Sequence, residues 1–220
     1  SPNKNFEYLD PQIEVFDVKN KTIQIDNTNP HQAVDSEYFI YQDNIIVLGG
    51  SLKKFDNGTT RYSNKIHTYN TKTGHWYELG EMKAGKECKG ILIGDKIYIF
   101  GGFRESALSE VETFDLMTGK WDEVGNLFTK LSKPAITYNN QTIYLFEEGK
   151  LFTYNTVTKE LNQFLIGLQL NDAEMHFYNN KLYIIGGYIE SNTSITSSKG
   201  VYSIDVEEFE KTRVKKHQQF

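Results

Sequence analysis

The sequence predicts an all-β fold of repeated four-stranded antiparallel meanders, and three observations carry that expectation. The stretch from Ile91 to Trp121 writes out one meander in full. A five-residue strand motif recurs five times along the chain. Tyr and Phe stand at 14 each with only 4 Pro, and no Ala/Leu/Glu/Lys segment shows 3.6-residue periodicity, so almost no helix is expected.

Within the complete stretch, the apolar runs Ile91–Ile93 and Ile97–Phe100 have Gly94-Asp95 between them. A Gly-Asp pair between strand-like runs marks a tight hairpin, because Gly takes up positive φ without a clash. The second run stops at Gly101-Gly102, where the backbone can bend or approach a neighbour closely. Val111 to Asp115 then alternates apolar and polar as a half-buried third strand, and Thr118-Gly119 turns the chain into a fourth that starts at Trp121.

The third strand is the best marker of the repeat. Ile13–Asp17, Ile66–Asn70, Val111–Asp115, Leu151–Asn155 and Val201–Asp205 share an aliphatic residue, two variable positions, a large apolar residue and then Asp or Asn. An Asp or Asn side chain there can accept from backbone N–H groups further on and start a turn. Seven positions after the large apolar residue stand Ile23, Trp76, Trp121 and Leu161, whereas the fifth copy has Lys211. Gly-Gly is complete at Gly49-Gly50, Gly101-Gly102 and Gly186-Gly187, is replaced by Glu147-Glu148 in the fourth copy, and gives way to Asp10-Pro11 in the first. The first copy is poorest: Phe6–Tyr8 is its second strand and no innermost strand precedes it. The last is read as complete, with a fourth strand at about Thr212 to Gln218 and its Lys211, Arg213, Lys215 and Lys216 on a solvated face.

An apolar strand ending in Gly-Gly, a later aromatic followed by Asp or Asn, and a Trp seven positions on resemble the kelch repeat, whose period is near ~50 residues. That resemblance implies a β-propeller of four-stranded blades, with five blade units recognisable and the first incomplete. The expected units are about 1–28, 29–83, 84–129, 130–170 and 171–220 in a single domain. A blade needs neighbours on both sides, so an incomplete first blade leaves two alternatives: a five-bladed ring whose first blade borrows a strand, or the C-terminal part of a longer propeller, with an N-terminal domain or an additional chain completing the ring. Trp76 and Trp121 are expected to wedge between blades.

Composition narrows the function classes. A formal charge of -5 with scattered acids and bases argues against a nucleic-acid footprint. No apolar run approaches the ~20 residues of a membrane span, so no membrane insertion is expected. Cys88 is alone, which excludes an intrachain disulfide and a multi-cysteine zinc site. The five histidines show no metal-binding spacing; His67 reads as the polar face of a third strand and His75 as a turn residue. Neither metal nor cofactor is expected. Galactose oxidase has blades of this type, but nothing here matches its copper ligands. Asp35, Glu37, Glu87, Asp172 and Glu174 fall at the starts of innermost strands, where paired carboxylates would converge near a central channel. Catalysis on a sugar there, as in the sialic-acid mutarotases of similar architecture, is the competing reading, and a structural subunit of a larger assembly is a third.

Loops give the stronger signal. In kelch propellers the connections leaving Gly-Gly and those entering each innermost strand share one face, and scaffold-borne loops are where binding resides. That face would collect Ser51, Lys53, Phe103, Arg104, Glu105, Tyr188 and Glu190 from one set, and Asp35, Lys86, Glu87, Lys133 and Asp172 from the other. The function these residues imply is non-catalytic binding of a protein or peptide, with Phe103 and Tyr188 as apolar anchors and Arg104 as the charged contact.

Overall fold

A computed structural model describes residues 11–54, 58–191 and 193–220, with only the backbone of Lys53 and Lys54. The strand expected at Phe6–Tyr8 lies outside the described residues. Two compact parts divide the chain, Ser1–Cys88 and Lys89–Phe220.

In the first part, β1 (Ile13–Asp17) and β2 (Thr22–Asp26) form a two-stranded hairpin. A complete blade follows: β3 (Glu37–Tyr41), β4 (Asn44–Leu48), β7 (Lys65–Asn70) and β8 (His75–Glu81) pair in that order, with the small hairpin β5 (Ser51–Lys54) and β6 (Thr60–Tyr62) inserted after Gly49-Gly50. The second part holds three more. Blade three pairs β9 (Gly90–Ile93), β10 (Lys96–Phe100), β12 (Ser106–Asp115) and β13 (Lys120–Leu131), with β11 (Phe103–Arg104) folded back onto the start of β12. Blade four pairs β14 (Ala135–Asn139), β15 (Thr142–Glu147), β16 (Lys150–Asn155) and β17 (Glu160–Leu165). Blade five has β18 (Glu174–Tyr178), β19 (Lys181–Ile185) and β22 (Val201–Asp205), with the hairpin β20 (Tyr188–Glu190) and β21 (Ile195–Ser197) after its Gly-Gly.

The recurrent Asp or Asn acts alike in all five copies. Asp17, Asn70, Asp115, Asn155 and Asp205 each accept from the backbone N–H groups two and three residues on. In the first four copies this closes a turn short enough that the residue seven positions after the large apolar one lands directly opposite it: Phe16 faces Ile23, Tyr69 faces Trp76, Phe114 faces Trp121 and Tyr154 faces Leu161. In the fifth the same carboxylate caps a short helix, α1 (Val206–Glu210), whose Val206 and Phe209 are buried.

One sequence expectation changes here. Among the described residues the last blade has no fourth strand of its own; the C-terminal strand, β23 (Lys216–Gln219), pairs with β17 of blade four as a fifth strand. The reason is α1, which turns the chain away from β22 and seats Phe209 on Phe164 with ring centroids 4.3 Å apart. Phe220 then packs on Tyr154 and lies against Gly125, where any Cβ would meet its ring at 2.4 Å. Trp76 and Trp121, expected as wedges between blades, lie half-buried over the third-strand aromatics of their own blades, Tyr69 at 5.1 Å and Phe114 at 5.8 Å, and Trp76 also lines a cavity with Ile13, Val15, Phe16 and Gln24 of the first hairpin.

Blade four shows why second strands are apolar throughout. Ile143, Leu145, Phe152, Tyr154 and Leu161 join Tyr98, Phe100, Val111, Leu127 and Leu131 of blade three in one core. Tyr144, Phe146, Leu151 and Phe164 join Ala173, Met175, Leu182 and Ile184 of blade five in another. Successive residues of a strand point to opposite faces, so a strand with a core on each side must be apolar at every position. The third strand of blade three is buried on both faces as well, Val111 to Phe114 throughout, rather than half-exposed as the alternation suggested, although Glu112 and Thr113 are polar.

Tyr154 sits in the first of these cores with its hydroxyl buried and unpartnered, and burial pushes its pKa up to about 12. An orphaned buried hydroxyl costs about 1–3 kcal/mol. Tyr154→Phe is therefore expected to leave the melting temperature unchanged or raise it by a few degrees; calorimetry showing a fall beyond about 4 °C would mean that the hydroxyl has a partner.

Candidate functional site

In blades two, three and four the second strand ends in a kink that stitches the blade to the segment entering the next innermost strand. Gly50 N–H donates to Lys86 O at 2.9 Å, Gly102 N–H to Leu131 O at 3.0 Å, and Glu148 N–H to Leu170 O at 2.9 Å. The approach leaves no room for side chains: a Cβ on Gly49 would lie 2.5 Å from Lys86 O, and one on Gly101 would lie 2.5 Å from Leu131 O. Blade four manages without glycine because Glu148 itself adopts φ of 49°.

The residues just past the kink pair back onto the lead-in of their own blade. Ser51 exchanges two backbone hydrogen bonds with Val34, at 2.7 and 2.9 Å, and Tyr188 exchanges two with Asn171, both at 2.9 Å. The next residues, Asp35 and Asp172, take left-handed conformations with φ of 54° and 51°, and both are exposed. In blade three Phe103 and Arg104 fold directly onto Ala107 and Ser106 through Glu105 at φ of 62°, which leaves Arg104 and Glu105 exposed and Phe103 half-buried.

The structure thus brings several of the expected residues together. Around the half-buried Tyr188 phenol stand Glu190, Asp172, Lys133 and Glu147. Burial and then the three carboxylates push that phenol up, while Lys133 opposes them. Glu147 was missed by sequence reasoning, although its substitution for the first glycine of the motif was the available signal. Its buried carboxylate accepts from Ser132 N–H at 2.9 Å and Lys133 N–H at 2.7 Å, and burial raises its pKa against those two donors. In the first part of the chain Ser51 Oγ donates to Glu87, and Ser51 is itself buried. Lys86 does not reach the loop face: it is 4% exposed, at the position that Leu131 and Leu170 fill in the later blades. The side chain of Lys53 lies outside the described residues.

One further reading changes. His67, expected on a solvated face, is buried, and its Nδ1 lies 2.8 Å from Nδ1 of the equally buried His31. Cys88 is buried as well, its Sγ 3.9 Å from Leu48 O. Among the described residues, no group of three or more His, Cys, Asp or Glu side chains has a metal-holding arrangement, and no helix is long and apolar enough to cross a membrane.

A family model described as the Kelch motif matches residues 86–127, the stretch that forms the kink and strands of blade three. The chain carries a kelch motif there. It is 26% identical over 144 residues to Kelch-like protein 40 of Xenopus laevis, which covers 64% of this chain and 21% of that protein. Kelch-like protein 41b of Danio rerio is 28% identical over 175 residues, covering 66% of this chain and 27% of that protein. The chain therefore spans only about a fifth to a quarter of the length of these curated relatives. The solved structure of YjhT matches the fold with a TM-score of 0.72 at 15% identity, over 87% of this chain and 75% of that one. The fold is a kelch-type β-propeller, all-β but for α1.

The histidine pair makes stability pH-dependent with a defined sign. His31 Nε2 lies 2.8 Å from Gly49 O, a carbonyl that can only accept, so neutral His31 carries its proton there and its Nδ1 accepts from His67 Nδ1–H. Protonating His31 would oppose two N–H donors. Burial lowers both pKa values below the ordinary 6.5; the Gly49 carbonyl opposes this at His31 while the charge of His67 adds to it, and at His67 Glu78 opposes while Lys65 adds. The unfolded chain binds protons first as pH falls, so the stabilisation is complete above about 6.5 and is lost progressively below it. Urea midpoints are expected to drop between pH 7.5 and 5.5, and to drop less in His31→Phe; equal slopes in both proteins would show that the pair does not titrate on unfolding.

Proposed function

We propose that this propeller is a non-catalytic binding module whose loop face, beyond the kinks, takes a protein or peptide. The observation that carries the reading is the setting of Tyr188: an aromatic fixed by two backbone hydrogen bonds to Asn171, ringed by Asp172, Glu190, Glu147 and Lys133. A pre-ordered aromatic among charges is the residue type that dominates interface hot spots, and ordering it in advance lowers the entropy lost on binding. The surplus of carboxylates favours a partner segment bearing Lys or Arg, while Arg104 and Phe103 offer a second, bidentate and apolar contact. Glu105 would extend the rim.

The kelch-like relatives support a protein partner over sugar chemistry at Glu87, Asp172 or Glu174, and the carboxylate of Glu87 is already engaged by Ser51. The test is selection from a random peptide library on the intact chain. Enriched peptides are expected to carry Lys or Arg, and Tyr188→Ala is expected to weaken them by about tenfold or more at an unchanged melting temperature. Peptides without basic residues, bound equally well by Tyr188→Ala, would defeat the reading.

A further inference from the structure

The last blade stops one strand short. In blades two, three and four the third strand is flanked by a fourth that sets a large apolar residue opposite its own: Trp76 at Tyr69, Trp121 at Phe114 and Leu161 at Tyr154. Among the described residues β22 pairs only with β19, and the equivalent position opposite Ile204 is unfilled. Gly186 N–H donates to Gly200 O and Val206 N–H to Asn180 O, so in antiparallel alternation the backbone groups of Gly200, Tyr202 and Ile204 serve β19. Those of Val201 and Ser203 face the open side.

That side has the shape and charge of a strand site. A groove of about 720 Å³ runs beside it, lined by Leu165, Ile166, Leu168, Ile204, Phe209 and Arg213 among others. Val201 is 65% exposed and Leu165 59%, unusual for aliphatic residues beside a sheet. Two cations flank the edge, Lys199 at the start of β22 and Arg213 in the groove wall, and neither has a partner among the described residues. Of the groove's two carboxylates, Glu208 is paired with Lys211 at 2.9 Å and Asp205 is engaged by the N–H groups of Glu207 and Glu208 as the cap of α1. Blade two shows what such a cation meets on a fourth strand: Lys65 binds Glu78 at 2.8 Å and also Glu81, both on β8.

We propose that the open edge of β22 takes up an extended, acidic segment of a partner protein as the missing fourth strand, antiparallel, with an aromatic or Leu opposite Ile204. Main-chain hydrogen bonds to Val201 and Ser203 supply affinity, and the groove and the two cations select the side chains. This surface is separate from the loop face.

The probe is a fluorescein-labelled peptide of residues 74–82; paired regularly, without the bulge that β8 carries at Leu79, it would set Trp76, Glu78 and Glu81 opposite Ile204, Tyr202 and Lys199. Saturable anisotropy is expected in the range of about 10–100 μM. Methylating the backbone nitrogens of Tyr77 and Leu79, which face Ser203 and Val201, is expected to weaken binding about tenfold, while methylating that of Glu78 is not. Ser203→Pro should weaken it similarly; if that variant does not fold, the methylated peptides decide. Equal effects of all three methylations, or no saturation by about 1 mM, would overturn the proposal. So would a dimer of the unmodified chain in sedimentation that Ser203→Pro dissociates, because the edge would then belong to a second copy.

Discussion

Much of the arrangement depends on one short contact: in blades two, three and four, the backbone N–H just past the second strand reaching the carbonyl that leads into the next innermost strand. It needs two chain segments within hydrogen-bond distance where a Cβ would collide, and Gly49-Gly50 and Gly101-Gly102 satisfy it by having none. Its consequence is positional. The chain leaves the blade-two kink beside its own lead-in segment, where Ser51 pairs with Val34, and Tyr188 pairs with Asn171 in the same way after the glycines of blade five. The candidate binding residues are therefore placed by backbone geometry, and their side chains remain free to vary in chemistry. Where glycine is absent, in blade four, Glu148 accepts the left-handed conformation and Glu147 turns its carboxylate onto Ser132 and Lys133, converting a packing position into a polar one.

A second regularity concerns the residue two places before the third-strand aromatic, beneath the residue opposite that aromatic. In blade three it is Glu112, which accepts from Trp121 Nε1 at 2.9 Å. In blade four both positions are apolar, Phe152 and Leu161, and nothing needs satisfying. Blade two has the Trp without the carboxylate: His67 fills the place, its Nδ1 is committed to His31, and the indole N–H of Trp76 is buried with no hydrogen-bond partner. The three solutions show how one backbone frame tolerates a charged, an apolar and an imidazole filling, and the last couples packing to pH.

The sequence made the strands and turns legible because they rest on local chemistry. The Asp or Asn turn and the residue seven positions later depend on contacts within a few residues, and both occur where the pattern puts them. What escaped depends on distant partners. His67 looks solvated until His31, 36 residues away, is brought against it. Lys86 reads as a surface cation, yet its carbonyl must meet Gly50, which draws the residue into a place that leucine holds elsewhere. The candidate site was legible as a set of positions, but the gathering of Lys133, Glu147 and Asp172 about Tyr188 is a tertiary fact that no spacing encodes.

The end of the chain carries the sharpest instance. Asp205 begins with the same two backbone contacts as Asp115, yet Val206 and Phe209 follow at a spacing that puts both on one side of a helical turn, and burying them favours helix over hairpin. Lys211 in place of the usual aromatic or aliphatic residue was the visible sign of that choice. Once the helix forms, the remaining residues are too far round to return to β22, and the edge that lies within reach is β17. There His217 meets Asn162 at 2.9 Å and Phe220 closes over Tyr154. Covering one blade's outer edge thus leaves another bare. An uncovered strand edge bordered by aliphatic side chains invites pairing with another chain, and soluble proteins keep such edges short, charged or occupied. Lys199 and Arg213 supply the charge here, which discourages indiscriminate pairing while favouring a strand that brings carboxylates of its own.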